Sequence, residues 1–409
     1  MSIPVGSILH APGAFSEEQA SPSAVPKLSV LQIGEGWFSE RGGGLNRYYA
    51  ELVKRLPAAG VDCRGLVVGS DSVAVNSGNI ARAVAPTNAP MRDRWRAMST
   101  AVAAEIASGP VDVVVTHFAP YAWPILRSLG KAPLVVHFHG PWAAESRAEG
   151  AGRVAVWMKR RMERAVYCQA RRCIVLSRAF GEVLARDYGV ERDRIRVIPG
   201  GVDLERFNTN LSRAEARQRS GWPVDRPIVL CVRRLVRRMG LEKLIEAAAL
   251  LRATSPTALT IIGGTGPLAD ELQQQIAAAG VEDSVRLAGF ISDSDLPLAF
   301  RAADLTILPS VSLEGFGLVA AESLAAGTPA VVTRVGGLPE VVASLSQELI
   351  LPGGDAPQIA AFLGDVFAGR RVLPSAEECR RYAAERFDWN SVAREVAAVY
   401  REALAAARQ

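Results

Sequence analysis

A chain of 409 residues is too long to organise around one ordinary hydrophobic core, so two or three domains are expected. With 49% hydrophobic and 22% charged residues it has the make-up of a folded globular protein, which excludes a disordered chain. The formal charge of +5 suits an anionic ligand, an acidic lipid surface or nucleic acid, and does not choose among them.

Residues 1–26, rich in Ala, Ser and Pro, read as a flexible tail. They lack the basic-then-apolar order of a secretory signal, and no apolar run approaches the ~20 residues that span a bilayer, so a cytoplasmic location is expected. Five cysteines (Cys63, Cys168, Cys173, Cys231, Cys379) are an odd number without a Cys-x-x-Cys pair. Neither a disulfide framework nor a zinc site is indicated.

From Leu28 short apolar runs alternate with helical patterns. LSVLQI, VDVVVTHF, PLVVHFH, CIVLS and RIRVIPG read as strands, while residues 45–56 and 153–172 show helical spacing. After Gly200 the rhythm restarts with PIVLCVRRL, LTIIGG, VRLAGF, LTILPS and PAVVTR, separated by helices at 241–251, 268–279 and 316–326. Such alternation predicts parallel strands covered by helices in two doubly wound α/β domains, 27–200 and 201–387, with ligands bound beyond the carboxyl ends of the strands. Two facing domains place that site in the cleft between them.

Gly34-Glu35-Gly36-Trp37-Phe38-Ser39 follows the first strand and nearly matches a dinucleotide fingerprint. Its third glycine is Ser39 and its helix is delayed to about residue 45, which argues against a nicotinamide enzyme. The run Gly42-Gly43-Gly44 precedes that helix directly. His117 ends one strand and His137 and His139 end another, so their spacing spans different strands with no carboxylate patterned beside them, and a metal site is not expected. Between residues 153 and 172 seven Lys or Arg stand against one acid, interleaved with apolar residues. That helix is either a core-facing surface helix or a face that meets anionic lipid.

In the second half, Arg233, Arg234, Arg237 and Arg238 crowd into CVRRLVRRMG, and the guanidinium fork suits phosphate. Gly263-Gly264-Thr265-Gly266-Pro267 and Gly289-Phe290-Ile291 end two further strands. Asp293-Ser294-Asp295 looks like a metal-binding Asp-x-Asp but introduces a short helix, where Ser and Asp serve as N-caps. Most informative is LPSVSLEGFGLVAAESLAAG. Glu314 opens a glycine-bracketed turn, and a helix follows that carries Glu322. The first-turn N–H groups of that helix, at Phe316, Gly317 and Leu318, suit a phosphate. Two carboxylates beside it suit hydroxyl groups, so a sugar nucleotide is the ligand that answers both.

The Glu-x7-Glu pattern around a Gly-Phe-Gly turn resembles the retaining glycosyltransferases of family 4, which have the GT-B fold of two facing Rossmann-like domains. Residues 41–46, 137–140, 199–203, 232–240, 263–267 and 289–292 stand in the order and spacing of that family, and the resemblance covers roughly residues 27–401. It implies transfer of a hexose from a nucleoside-diphosphate sugar, UDP before GDP, to a hydroxyl of a carbohydrate, glycolipid or small molecule. Neither cofactor nor metal is implied, and nucleic acid is not an expected partner. By the resemblance, Gly43 and Gly44 lie against the donor diphosphate, His139 contacts the sugar at the reacting centre, and Arg234 binds the diphosphate. Gly264, Phe290 and Ile291 hold the nucleoside, Glu314 the sugar hydroxyls and Glu322 the ribose. A terminal helix at about 388–409 is implied to pack back onto the first domain.

The chain departs from the family's Gly-Arg-Leu and Lys-Gly at two places, with Arg233 for the glycine and Met239 for the lysine. Arg238 is the nearest replacement for the lost charge, while Arg233 and Arg237 read as solvated surface. A sugar-nucleotide epimerase and a non-catalytic sugar-nucleotide-binding protein remain alternatives.

Overall fold

The computed structural model describes residues 27–409, so the tail read at 1–26 lies outside the described residues. Seven parallel strands form the first sheet: β1 (Leu28–Gly36), β2 (Val61–Val68), β3 (Ala81–Ala85), β4 (Val113–Thr116), β5 (Leu134–Phe138), β6 (Arg172–Val175) and β7 (Ile195–Val197). Their order is β3-β2-β1-β4-β5-β6-β7. Five more form the second: β8 (Ile228–Val232), β9 (Leu259–Gly263), β10 (Val285–Gly289), β11 (Leu305–Leu308) and β12 (Ala330–Val332), in the order β10-β9-β8-β11-β12. The unbroken apolar runs are the interior strands. β4, β5 and β11 are buried at every residue, because helices cover both faces. The edges β3, β7 and β10 carry most of the exposed positions, while the fourth edge, β12, is buried.

Two strands do not announce themselves in the sequence. In β2 the apolar run is interrupted by Arg64 and Gly65. The arginine lies across the sheet to Glu105 at 3.0 Å and the Pro110 carbonyl at 2.9 Å. In β3, Ala-Arg-Ala-Val-Ala carries little β-propensity and is paired through the register Gly65 to Ala81.

The chain crosses between domains twice, and the crossings touch. Val202 N–H donates to the Phe387 carbonyl at 2.7 Å, and a Cβ on Gly201 would meet the Trp389 ring at 2.3 Å. Helix Trp389–Arg408 then lies on the first domain, burying Val392, Val396, Tyr400 and Ala403 at helical spacing. Gln32 Nε2 donates to Tyr400 Oη at 3.1 Å, and Arg172 Nε lies 2.9 Å from Glu402.

The carboxyl ends of the two sheets face each other and are in contact. Ser177 Oγ, beyond β6, donates to the Gly315 carbonyl at 2.6 Å. The N–H groups of Arg178 and Ala179 both donate to the Glu340 carboxylate at 2.9 Å.

Candidate active site

The loop from β11 into helix Leu318–Ala325 is the centre of the cleft. Gly317 is its N-cap with φ +93°, and a Cβ there would lie 2.5 Å from Leu338 Cδ2. Leu313 also has positive φ, +54°, so the turn that presents Glu314 is strained at a residue with a side chain. The helix starts at Leu318, two residues later than the sequence pattern suggests. Among the described residues, the N–H groups of Phe316, Gly317 and Leu318 reach no acceptor. Such unpaired amides at a helix start make an anion-binding concavity.

The other loops converge on it. A Cβ on Gly44 would lie 3.6 Å from Leu318 Cδ1, and one on Gly200 would meet Leu318 and Phe316 at 2.7 and 2.9 Å. Gly43, with φ +113°, leads into helix Gly44–Arg55 and has open space beside it. Arg234 is exposed and has no ion-pair or side-chain hydrogen-bond partner among the described residues. Arg238 is buried; its Nη1 donates to the Leu313 carbonyl at 3.0 Å, and Nη2 lies 3.6 Å from Glu145 across the cleft.

Arg233 corrects the reading of a solvated surface. It is buried, paired with Glu314 and bonded to Ser310. Arg237 is at the surface, pairing with Glu242 and Glu271.

Gly264 has φ +140°, and a Cβ there would sit 1.9 Å from the Arg233 carbonyl oxygen, so the two loops pack backbone to backbone. Phe290 is 76% exposed beyond β10, while Ile291 turns inward against Gly263. Asp293 does not cap a helix. It pairs with Arg47 and, at 2.6 Å, with Arg206, and helix Leu296–Ala302 has no side-chain cap.

Glu322 is buried, and desolvation pushes its carboxyl up to about 7 against the pull of Arg47 and Arg206. Arg47 Nη1 stands 3.8 Å from it. Arg47 was missed in the sequence, although a cation in the first turn of a helix runs against the macrodipole and is a signal.

The three histidines come together. His117 and His137 stack with ring centroids 4.2 Å apart and planes 10° apart, and His139 continues the stack at 20° to His117. Their ligating nitrogens lie within 4.8 Å of one another. Both nitrogens of His117 are engaged, Nδ1 with His139 Nε2 and Nε2 with Gln32 Oε1, each at 3.1 Å. His137 Nε2 bonds Tyr400 Oη at 2.8 Å. The arrangement is a buried hydrogen-bonded column that presents His139, half-buried, to the cleft. Burial holds the His139 imidazole down to about 3, so it is neutral at working pH.

Comparison with known proteins agrees with this architecture. The pattern of Glycosyltransferase Family 4 matches residues 42–206, and that of glycosyl transferases group 1 matches 212–386. A D-inositol 3-phosphate glycosyltransferase of Geodermatophilus obscurus is 30% identical over 95% of this chain and 92% of its own. One from Acidothermus cellulolyticus is 40% identical over 54% of this chain, about half (51%) of its own length. Among solved structures, sucrose-phosphate synthase from Thermosynechococcus elongatus superposes with a TM-score of 0.76 at 24% identity, over 93% of this chain and 100% of that one. With both halves matched and one relative aligned nearly end to end, the chain belongs to the family 4 glycosyltransferases and has their GT-B fold.

Proposed function

We propose that this glycosyltransferase moves a hexose from a nucleoside-diphosphate sugar to an acceptor hydroxyl with retention at the anomeric carbon and without a metal. The observation that carries the reading is the run of three unpaired amides, at Phe316, Gly317 and Leu318, in a lobe whose Arg234 guanidinium is also unpaired among the described residues. A metal's usual task, neutralising the diphosphate, is met by those groups, and the Asp293 carboxylate is already taken by Arg47 and Arg206.

In the reaction the bond from the anomeric carbon to the β-phosphate oxygen breaks and its electron pair stays on the phosphate. The acceptor oxygen attacks the same face, and its proton passes to the departing phosphate. Arg234, Arg238 and the amides meet the charge that develops, an electrostatic term worth about 10²–10³ in turnover for one donor. Glu322 accepts from the ribose hydroxyls, Glu314 from the sugar hydroxyls, and neutral His139 contacts the sugar beside the reacting carbon. Gly43 and Gly44 allow close approach of the diphosphate, while Gly264, Phe290 and Ile291 border the base.

UDP is the first base to test and GDP the second. Inositol phosphate leads the acceptors, because the relatives carry that name. Val154, Trp157 and Met158 lie exposed among Arg153, Arg160 and Arg161 on helix Arg153–Gln169, which supports contact with an anionic membrane.

The test is release of nucleoside diphosphate from UDP- and GDP-hexoses with inositol phosphates as acceptors. Arg234→Ala and Glu322→Ala should each lose about 10²–10³ in rate, and chelator should leave the wild type unchanged. Full activity in both variants refutes the assignment.

A further inference from the structure

Arg233 has three polar neighbours. Its Nε and Nη2 lie 3.2 and 2.9 Å from the sulfur of Met239, Nη2 lies 2.9 Å from Ser310 Oγ, and the same nitrogen pairs with Glu314. Nη1 has no hydrogen-bond partner among the described residues and is not among the fully buried atoms, so that arm of the fork is free to meet solvent or a ligand. A guanidinium taken out of water needs its donors satisfied, and a thioether is a weak acceptor. The shell of sulfur, hydroxyl and one carboxylate is therefore incomplete around it.

Positions 233 and 239 are also the two at which this chain departs from the Gly-Arg-Leu and Lys-Gly pattern. Because the guanidinium of residue 233 rests on the side-chain end of residue 239, the two departures meet in space. Where the family pattern has a cation on the turn Arg237–Met239, this chain carries one just past the end of β8. A lysine at 239 would press its ammonium against Arg233, so the space between the two positions suits one cation and not two.

We propose that Arg233 is a further diphosphate cation beside Arg234 and Arg238, with Nη2 holding Glu314 and Nη1 offered to the β-phosphate. This rests on the donor reading above and adds to it a residue that joins the sugar-holding carboxylate to the leaving group. As the bond to the anomeric carbon breaks, the electron pair left on the β-phosphate oxygen faces the free arm of that fork.

The experiment compares nucleoside di- and monophosphates, UDP with UMP and GDP with GMP, by calorimetry. The proteins are wild type, Arg233→Ala, Met239→Lys and the double variant, each checked by a thermal melt. Losing one charge-assisted contact should weaken diphosphate binding about tenfold or more in Arg233→Ala while monophosphate binding moves less than about threefold. Adding Met239→Lys should recover most of that loss, whereas Met239→Lys alone should weaken the diphosphate. Should Arg233→Ala not fold, the double variant decides by itself, since it carries the charge at 239 alone. Equal weakening of both nucleotides, or no recovery in the double variant, makes Arg233 a fold residue and overturns the proposal. A wild type that binds neither diphosphate overturns the donor reading instead.

Discussion

Glu322 is held in two opposing ways, and the balance sets a pH dependence. Desolvation raises its carboxyl from 4.5 to about 7, while Arg47 and Arg206 pull it down. A carboxyl raised in the fold contributes stability that is present below the unfolded value and is lost as pH rises through about 7. Glu322→Gln should therefore melt like the wild type near pH 4.5 and above it at pH 8, by on the order of 3 kcal/mol. Donor affinity should fall in the same variant, since one carboxylate oxygen becomes an NH2 donor and the ribose loses a charged acceptor. In the wild type, kcat/KM for donor should rise with pH through about 7 as the carboxylate forms, and the glutamine variant should be flat. A limb that survives in the glutamine variant would belong to another group. The histidines of the column cannot supply it, because desolvation keeps all three neutral there.

The two glutamates were legible in the sequence because turn glycines and helical spacing fix their neighbourhood locally. Arg233 was not, because its partners Ser310 and Glu314 lie 77 and 81 residues away. Nothing in a run of arginines says which one turns inward.

Among the elements, the start of helix Leu318–Ala325 matters most, and glycine is required there. At φ +93° an alanine at 317 costs about 1–2 kcal/mol in backbone strain. Its Cβ would also collide with Leu338. Gly317→Ala should lower the melting temperature and, by displacing the amides on either side, reduce turnover about 10²–10³-fold. A variant destabilised but fully active would show that these amides do not meet the reacting phosphate.

The basic helix poses a different question. Its register was legible in the sequence, and the face left uncovered was not. Glu163 turns inward to accept from the N–H of Trp142 at 2.7 Å and the Tyr188 hydroxyl at 2.8 Å, while Trp157 turns outward. The protein should cosediment with vesicles containing anionic lipid and not with neutral ones. Trp157→Ala together with Arg160→Glu and Arg161→Glu should abolish this and spare turnover on a soluble acceptor. Equal binding of the variant would remove the helix from the account.

At the scale of the molecule, the two-domain α/β plan followed from the rhythm of apolar runs, because buried parallel strands write themselves as continuous hydrophobic segments. What could not be read were β2 and β3, near an edge and broken by charge, and the ties between domains. Arg47 to Asp293, Glu145 to Arg238 and Ser177 to Gly315 each join residues more than 90 positions apart. The histidine column depends on the same long-range assembly, since Tyr400 reaches Gln32 over 368 positions. Closure of the two lobes is thus what brings Gly44, His139 and the amides after Glu314 around one space.

The most direct measurement of that claim is a crystal structure with a nucleoside diphosphate bound. Its phosphates should lie within hydrogen-bond distance of the N–H groups at Phe316, Gly317 and Leu318, with Arg234 turned onto them and Glu322 on the ribose. Phosphates bound away from that helix start, or no nucleotide at saturating concentration, would contradict the account.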